Sequence, residues 1–169
     1  MHREALIEFW VDEDPTVRAR AIENFPRKLT ESEEKALVQL YKSEEFWWVR
    51  AQAVEALAGG ATDDSLDALH AALRDEMRSI RGAASIALAE RADNRSVGPL
   101  LEALDSAGLV GSESPVRALG AIGSPEAARA LDLKQACSET DLLHMRACRA
   151  TATAVQRGDH GAAFLSPRL

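Results

Sequence analysis

Four histidines, His2, His70, His144 and His160, and two cysteines, Cys137 and Cys148, are the residues of this chain best suited to metal or nucleophilic chemistry. A metal site on a helix needs ligands on one face, as two histidines four residues apart would supply. No two histidines here have that spacing, there is no His-Glu dipeptide, and neither cysteine has an adjacent histidine to draw out a thiolate. A Gly-rich phosphate loop and a Gly-x-Ser-x-Gly elbow are also missing. The expectation is a non-enzyme without metal or cofactor, with His70 a surface residue rather than a general base.

Arginine offers a stronger pattern. Val17-Arg18, Val49-Arg50, Ile80-Arg81, Val116-Arg117 and, more loosely, Met145-Arg146 each open an Ala-rich apolar stretch. Guanidinium forks could form an anion-binding ladder for phosphates or carboxylates. A structural role for Arg18, Arg50, Arg81, Arg117 and Arg146 fits better, because repeats reproduce structural residues in register while functional ones are usually unique to one repeat. Asp14, Glu45, Asp75 and Glu113 lie a few residues earlier and are expected to pair with these arginines or with the next repeat's copy.

The steps between successive arginines are 32, 31, 36 and 29 residues, the span of a helix pair. Asp14-Pro15, Ser114-Pro115 and Ser124-Pro125 each place a side-chain acceptor before proline, which predicts an N-cap and the first helical position. Helices are expected over Arg3 to Val11, Pro15 to Asn24, Glu31 to Lys42, Glu45 to Ala58, Asp64 to Arg74, Met77 to Glu90, Ser96 to Leu104, Pro115 to Ile122, Pro125 to Leu133 and Asp141 to Gln156. Val49, Ala53 and Leu57 form one apolar stripe, Ile80, Ala84 and Leu88 repeat it, and Leu66, Leu69, Leu73 and Val97, Leu100, Leu101, Leu104 do the same in the second helices. No helix covers its stripe alone, so neighbours must stack.

Composition agrees. The 169 residues carry 46 % apolar content, ordinary for a chain that packs, and only 5 % aromatics, which leaves little for a large aromatic-lined pocket. A formal charge of -7 disfavours a phosphate backbone as partner. Two cysteines do not make a disulfide framework and read as small core residues. The N-terminal apolar stretch from Ala5 to Val11 is too short for a membrane span, so the expected location is cytoplasmic, away from membranes.

The text Val49-Arg50-Ala51-Gln52-Ala53-Val54-Glu55-Ala56-Leu57, with Asp93-Asn94-Arg95-Ser96-Val97-Gly98-Pro99-Leu100-Leu101 as the start of a second helix, resembles HEAT-like repeats. The resemblance is to the short variety of about thirty residues found in phycobilin lyase subunits and bacterial interaction proteins. It runs from Asp14 to Arg157, and Phe46-Trp47-Trp48-Val49-Arg50 is similar to HEAT modules appended to some bacterial aminopeptidases. It implies an all-α fold, an α-solenoid forming a right-handed superhelix of about five helix pairs, whose second helices line a concave binding face. The expected layout is one repeat domain over 1–157, with a cap helix 1–12, repeats at about 14–42, 45–74, 77–105 and 113–134, a closing helix 141–157 and a tail 158–169. Iron-holding HEAT-repeat hydroxylases carry His-Glu pairs, from which this chain departs.

Lys35, Gln39, Asp67, His70, Arg74, Glu102 and Arg129 are the polar second-helix positions assigned to that concave face, where mixed signs suit a protein or peptide partner. Helical phase puts Trp47 with Ala51, Val54 and Ala58, hence buried, and Trp48 with Gln52 and Glu55, hence exposed as a candidate anchor. Leu6, Phe9 and Trp10 are expected to cap the array. The leading function is a non-enzymatic scaffold or adaptor holding a protein or peptide. A bilin lyase-like or chaperone-like accessory and a HEAT-like DNA-binding protein of the alkylation-repair type are the alternatives; oligomeric state and partner identity are left open.

Overall fold

The computed structural model describes residues 3–106 and 113–138, with side chains over 6–106 and 113–132. Two compact units divide the chain, Met1–Ile122 and Gly123–Leu169. The first unit contains α1 (Arg3–Glu8), α2 (Pro15–Glu23), α3 (Glu31–Ser43), α4 (Trp47–Ala56), α5 (Asp63–Ala72), α6 (Arg78–Arg91), α7 (Val97–Ser106) and α8 (Glu113–Ile122). The second contains α9 (Pro125–Ser138). No strand occurs among the described residues. The expected closing helix 141–157, the tail 158–169, Arg146 and Cys148 lie outside them, as do the Cys137 side chain and most of the loop between Ser106 and Ser114.

Helices start where the sequence supplies acceptors. Asp14 accepts from the Thr16 amide at 2.8 Å ahead of Pro15, and Ser124 accepts from the Ala127 amide at 3.1 Å ahead of Pro125. Thr30 and Glu33 form a reciprocal capping box on α3, and Thr62 caps α5. Ser114 departs from expectation, because α8 already includes Glu113 and Ser114 is a helical residue. The first expected helix is also shorter, since the chain tightens into a 3-10 turn over Phe9–Val11 before Asp12. That turn buries Trp10 against Phe25, with ring centroids 4.7 Å apart. Leu6 is likewise buried, while Phe9 stays exposed.

Within the first unit, α2, α4, α6 and α8 pack side by side in chain order. Each second helix covers the following first helix: α3 packs on α4, α5 on α6 and α7 on α8. The stripes inferred from spacing form the interior, and Val49, Ala53, Leu57, Ile80, Ala84, Leu88, Leu69 and Leu100 are all buried. Each large aliphatic side chain contributes about 1.5–3 kcal/mol. The first unit is thus an all-helical array of stacked helix pairs, as the repeat pattern predicts.

Arg18 and Arg50 tie one repeat to the next, through acids other than most of those expected. Arg18 donates through Nε and Nη2 to the two carboxylate oxygens of Glu44, both at 2.8 Å, and through Nη1 to the carbonyls of Asp12 and Glu13. Arg50 repeats this, donating to the carbonyls of Glu44 and Glu45 and facing Asp75 and Glu76 of the next repeat. Arg81 bonds the carbonyls of Asp75 and Glu76, each at 2.8 Å. The linking acid thus stands six residues before each arginine. Its carboxylate also accepts the backbone amide two residues on: Asp14 for Asp12, Phe46 for Glu44 and Met77 for Asp75. Of the acids expected, Asp75 is used; Asp14 and Glu45 are not, because one caps its own helix and the other contributes a carbonyl. Arg117 has Gly111 six residues before it, and it is exposed.

Candidate protein-binding surface

The start of α4 exposes three consecutive aromatics. Phe46, Trp47 and Trp48 remain 39 %, 42 % and 38 % accessible. Burial of Trp47, inferred from helical phase, is therefore overturned. Trp47 is the first residue of α4, and helical side chains tilt toward the N-terminus, which carries its ring off the end of the helix instead of against α4's neighbours. Its indole meets Trp48 edge-on at 6.0 Å, and Trp48 lies 4.8 Å from Phe46. The Arg18 guanidinium sits over Phe46 at 5.9 Å. The cluster thus sits beside the Arg18–Glu44 linkage while keeping much of its apolar surface in water.

The second helices present a polar face. Arg74, in the turn after α5, pairs with Glu102 on α7, and His70 Nε2 lies 3.0 Å from the buried Ser96 hydroxyl. Burial holds the His70 imidazole below its ordinary pKa, against the opposing pull of Asp67 and Asp93. Arg95 bridges Asp93 and Asp63. The structure therefore brings His70, Arg74 and Glu102 together where α5 and the turn after it face α7. Lys35 and Gln39 are exposed on α3, and Asp67 is exposed on α5. Arg129 belongs to the second unit, exposed, with Nε bonded to the Pro125 carbonyl of its own helix. Trp48 stands apart from this group, on a first helix.

Sequence reading overlooked a buried polar column. Glu34, Ser65 and Ser96 are all buried, at successive spacings of 31 residues. Glu34 accepts the amides of Ala61 and Thr62 and the Thr62 hydroxyl at 2.8, 2.9 and 2.6 Å. Burial alone would push its carboxyl up, but these bonds outweigh it and hold it below the usual carboxylate range. Ser65 accepts from Arg91 at 2.7 Å. The register of 31 was the available signal; these positions look merely polar until the repeats are superposed.

Between α2 and α4 runs a groove of about 180 Å³, lined by Ile22, Glu23, Phe25, Pro26, Arg27, Gln52, Glu55 and Ala56. Trp48, Gln52 and Glu55 share one face of α4, so the aromatic cluster leads toward the groove. Glu55 is pushed above the ordinary carboxyl range by burial first, and then by Glu23 and Glu90, with Arg27 opposing them. Arg27 is ion-paired with Glu90.

Residues 34–110 match the HEAT repeats family. Together with the fold, this supports a HEAT-like repeat protein. Comparison with curated proteins finds no match. Among the described residues, no group of three or more His, Cys, Asp or Glu could hold a metal ion, and no helix is long and apolar enough to cross a membrane.

Proposed function

We propose that the protein is a non-enzymatic scaffold that holds a protein or peptide partner. HEAT repeats commonly serve protein interaction, and the observation that carries the reading here is the exposed Phe46, Trp47 and Trp48 cluster. Large aromatics fixed in place and partly wet supply contact area at little entropic cost, which makes them the usual anchors of interfaces. The second-helix group Lys35, Gln39, Asp67, His70, Arg74 and Glu102 offers a further mixed-charge face suited to a protein surface. A polyanion fits less well, because Arg18, Arg27, Arg50, Arg74 and Arg95 are each engaged by acids of the same chain.

The test is affinity capture from a lysate with three baits: wild type, Trp47→Ala/Trp48→Ala, and Asp67→Ala/His70→Ala/Arg74→Ala. A protein retained by wild type and lost from either variant supports the scaffold and assigns the face. Equal retention of every protein by all three baits, or an eluate of nucleic acid or pigment only, overturns it.

A further inference from the structure

We propose that the groove between α2 and α4 takes a basic peptide segment of the partner, with an apolar side chain over Ile22, Phe25 and Ala56, a cationic side chain between Glu23 and Glu55, and its flank against Trp48. The inference rests on the scaffold reading and names the chemistry of the partner.

Size decides the kind of guest. About 180 Å³ falls short of the roughly 300–1,000 Å³ of small-molecule sites, but it admits one or two side chains of a larger partner. The floor is apolar, as Ile22 and Phe25 are buried core residues with an edge in the groove, and Pro26 and Ala56 extend it. The rim fixes the sign of the guest. Arg27 is engaged by Glu90, while neither Glu23 nor Glu55 has an ion pair among the described residues. Glu23, Glu55 and Glu90 are close enough for Glu55 to feel both other charges. A guest ammonium or guanidinium relieves that repulsion, whereas a carboxylate or phosphate adds to it. The net charge of -7 steers the same class of guest. At the other end, Trp48 with Phe46 beside it offers a ring face that accepts either an aliphatic stem or a second cation.

The probe is a short fluorescein-labelled peptide of alternating leucine and arginine, compared by fluorescence anisotropy with one carrying glutamate for arginine and one carrying serine for leucine. Wild type is expected to bind the first at least about tenfold more tightly than either other peptide. Glu23→Gln/Glu55→Gln is expected to weaken it about tenfold, and Trp48→Ala by a similar factor. Glu31→Gln/Asp64→Asn removes the same charge from exposed positions of α3 and α5 and is expected to leave binding unchanged. Equal weakening by both charge-removing variants would reduce the effect to net charge and overturn the proposal. So would self-association of wild type that vanishes in Glu23→Gln/Glu55→Gln, which would put a second copy of the chain in the groove. A partner still captured through Trp47 and Trp48, with peptide binding indifferent to Glu23 and Glu55, would remove the groove assignment and leave the scaffold standing. The glutamine variants should melt no lower than wild type, which separates lost binding from lost folding.

Discussion

Arg18 grips Glu44 across 26 residues of sequence with two parallel hydrogen bonds of 2.8 Å, and the pair is nearly closed to water, at 13 % and 3 % side-chain exposure. Removing one member of such a pair strands the other's charge, and Arg18 also loses its bonds to the Asp12 and Glu13 carbonyls. Arg18→Ala is expected to cost about 3 kcal/mol in urea unfolding. The exposed Arg74 and Glu102 pair provides the contrast: Arg74→Ala should cost under about 1 kcal/mol. Comparable losses at the two sites would remove the structural distinction drawn between them.

Acid should unfold the protein through Glu34 and Glu44. Hydrogen bonds hold both carboxyls below their ordinary value despite burial. Their contribution is complete above the unfolded carboxylate range and disappears as pH falls through the lower folded values. His70, held low by burial, acts in the same direction from a higher pH, since the unfolded chain takes up its proton first. The urea midpoint is expected to fall from neutral pH toward about pH 3, and Glu34→Gln should flatten that dependence while lowering the midpoint at neutral pH by about 2 kcal/mol equivalent.

Glu55 has the opposite sign. Its carboxyl is raised by burial and by Glu23 and Glu90, so ionisation opposes folding at neutral pH. Because its side chain is only partly shielded from solvent, Glu55→Gln should stabilise by no more than about 0.5 kcal/mol. The gain should vanish as the wild-type carboxyl is protonated on acidification; a destabilised variant would contradict the repulsion.

Ala92 ends α6 in the left-handed region at φ 50, where a Cβ is strained. Ala92→Gly is expected to raise stability by about 0.5–1 kcal/mol, measured by thermal melting. Gly59→Ala should act in the other direction, because its Cβ would stand 1.5 Å from the Arg27 carbonyl oxygen and the neighbour is backbone. A loss of about 3 kcal/mol is expected.

Iodide should distinguish the three tryptophans. Trp47 and Trp48 are exposed and Trp10 is buried, so quenching should remove the Trp47 and Trp48 emission and spare a shielded component. In Trp47→Ala/Trp48→Ala only the shielded component should remain, with a melting temperature within about 2 °C of wild type. A large loss of stability would make the cluster structural and weaken its assignment as an anchor.

Sequence made the stacking legible because burial reads directly as period. Val49, Ala53 and Leu57 had to face inward, and they do. The recurrence of Arg18, Arg50 and Arg81 was equally visible, and a structural role followed from it. Their acceptors were not, since a carbonyl leaves no trace in residue identity and Glu44 is near Arg18 only after a whole repeat has folded. Trp47 was misplaced because helical phase treats a first-turn residue as though a turn preceded it. Of the candidate surface, Trp48 could be named as exposed, and Gln52 and Glu55 as sharing its face. The groove they lead to also needs Ile22, Glu23 and Phe25 from α2, whose proximity is a product of packing.

The repeat that runs from Glu44 to Arg50 presents both ends of the arginine linkage: an acid at the head that accepts from upstream Arg18, and an arginine six residues later that reaches downstream to Asp75. These ends behave as socket and plug. Arg18 to Glu44 spans 26 residues and Glu44 to Arg50 six, which together restore the 32-residue step. A duplicated segment of that length would arrive with both ends matched, so the array can lengthen by gene duplication without a new residue having to be invented. A single-residue deletion inside a repeat would put plug and socket out of alignment.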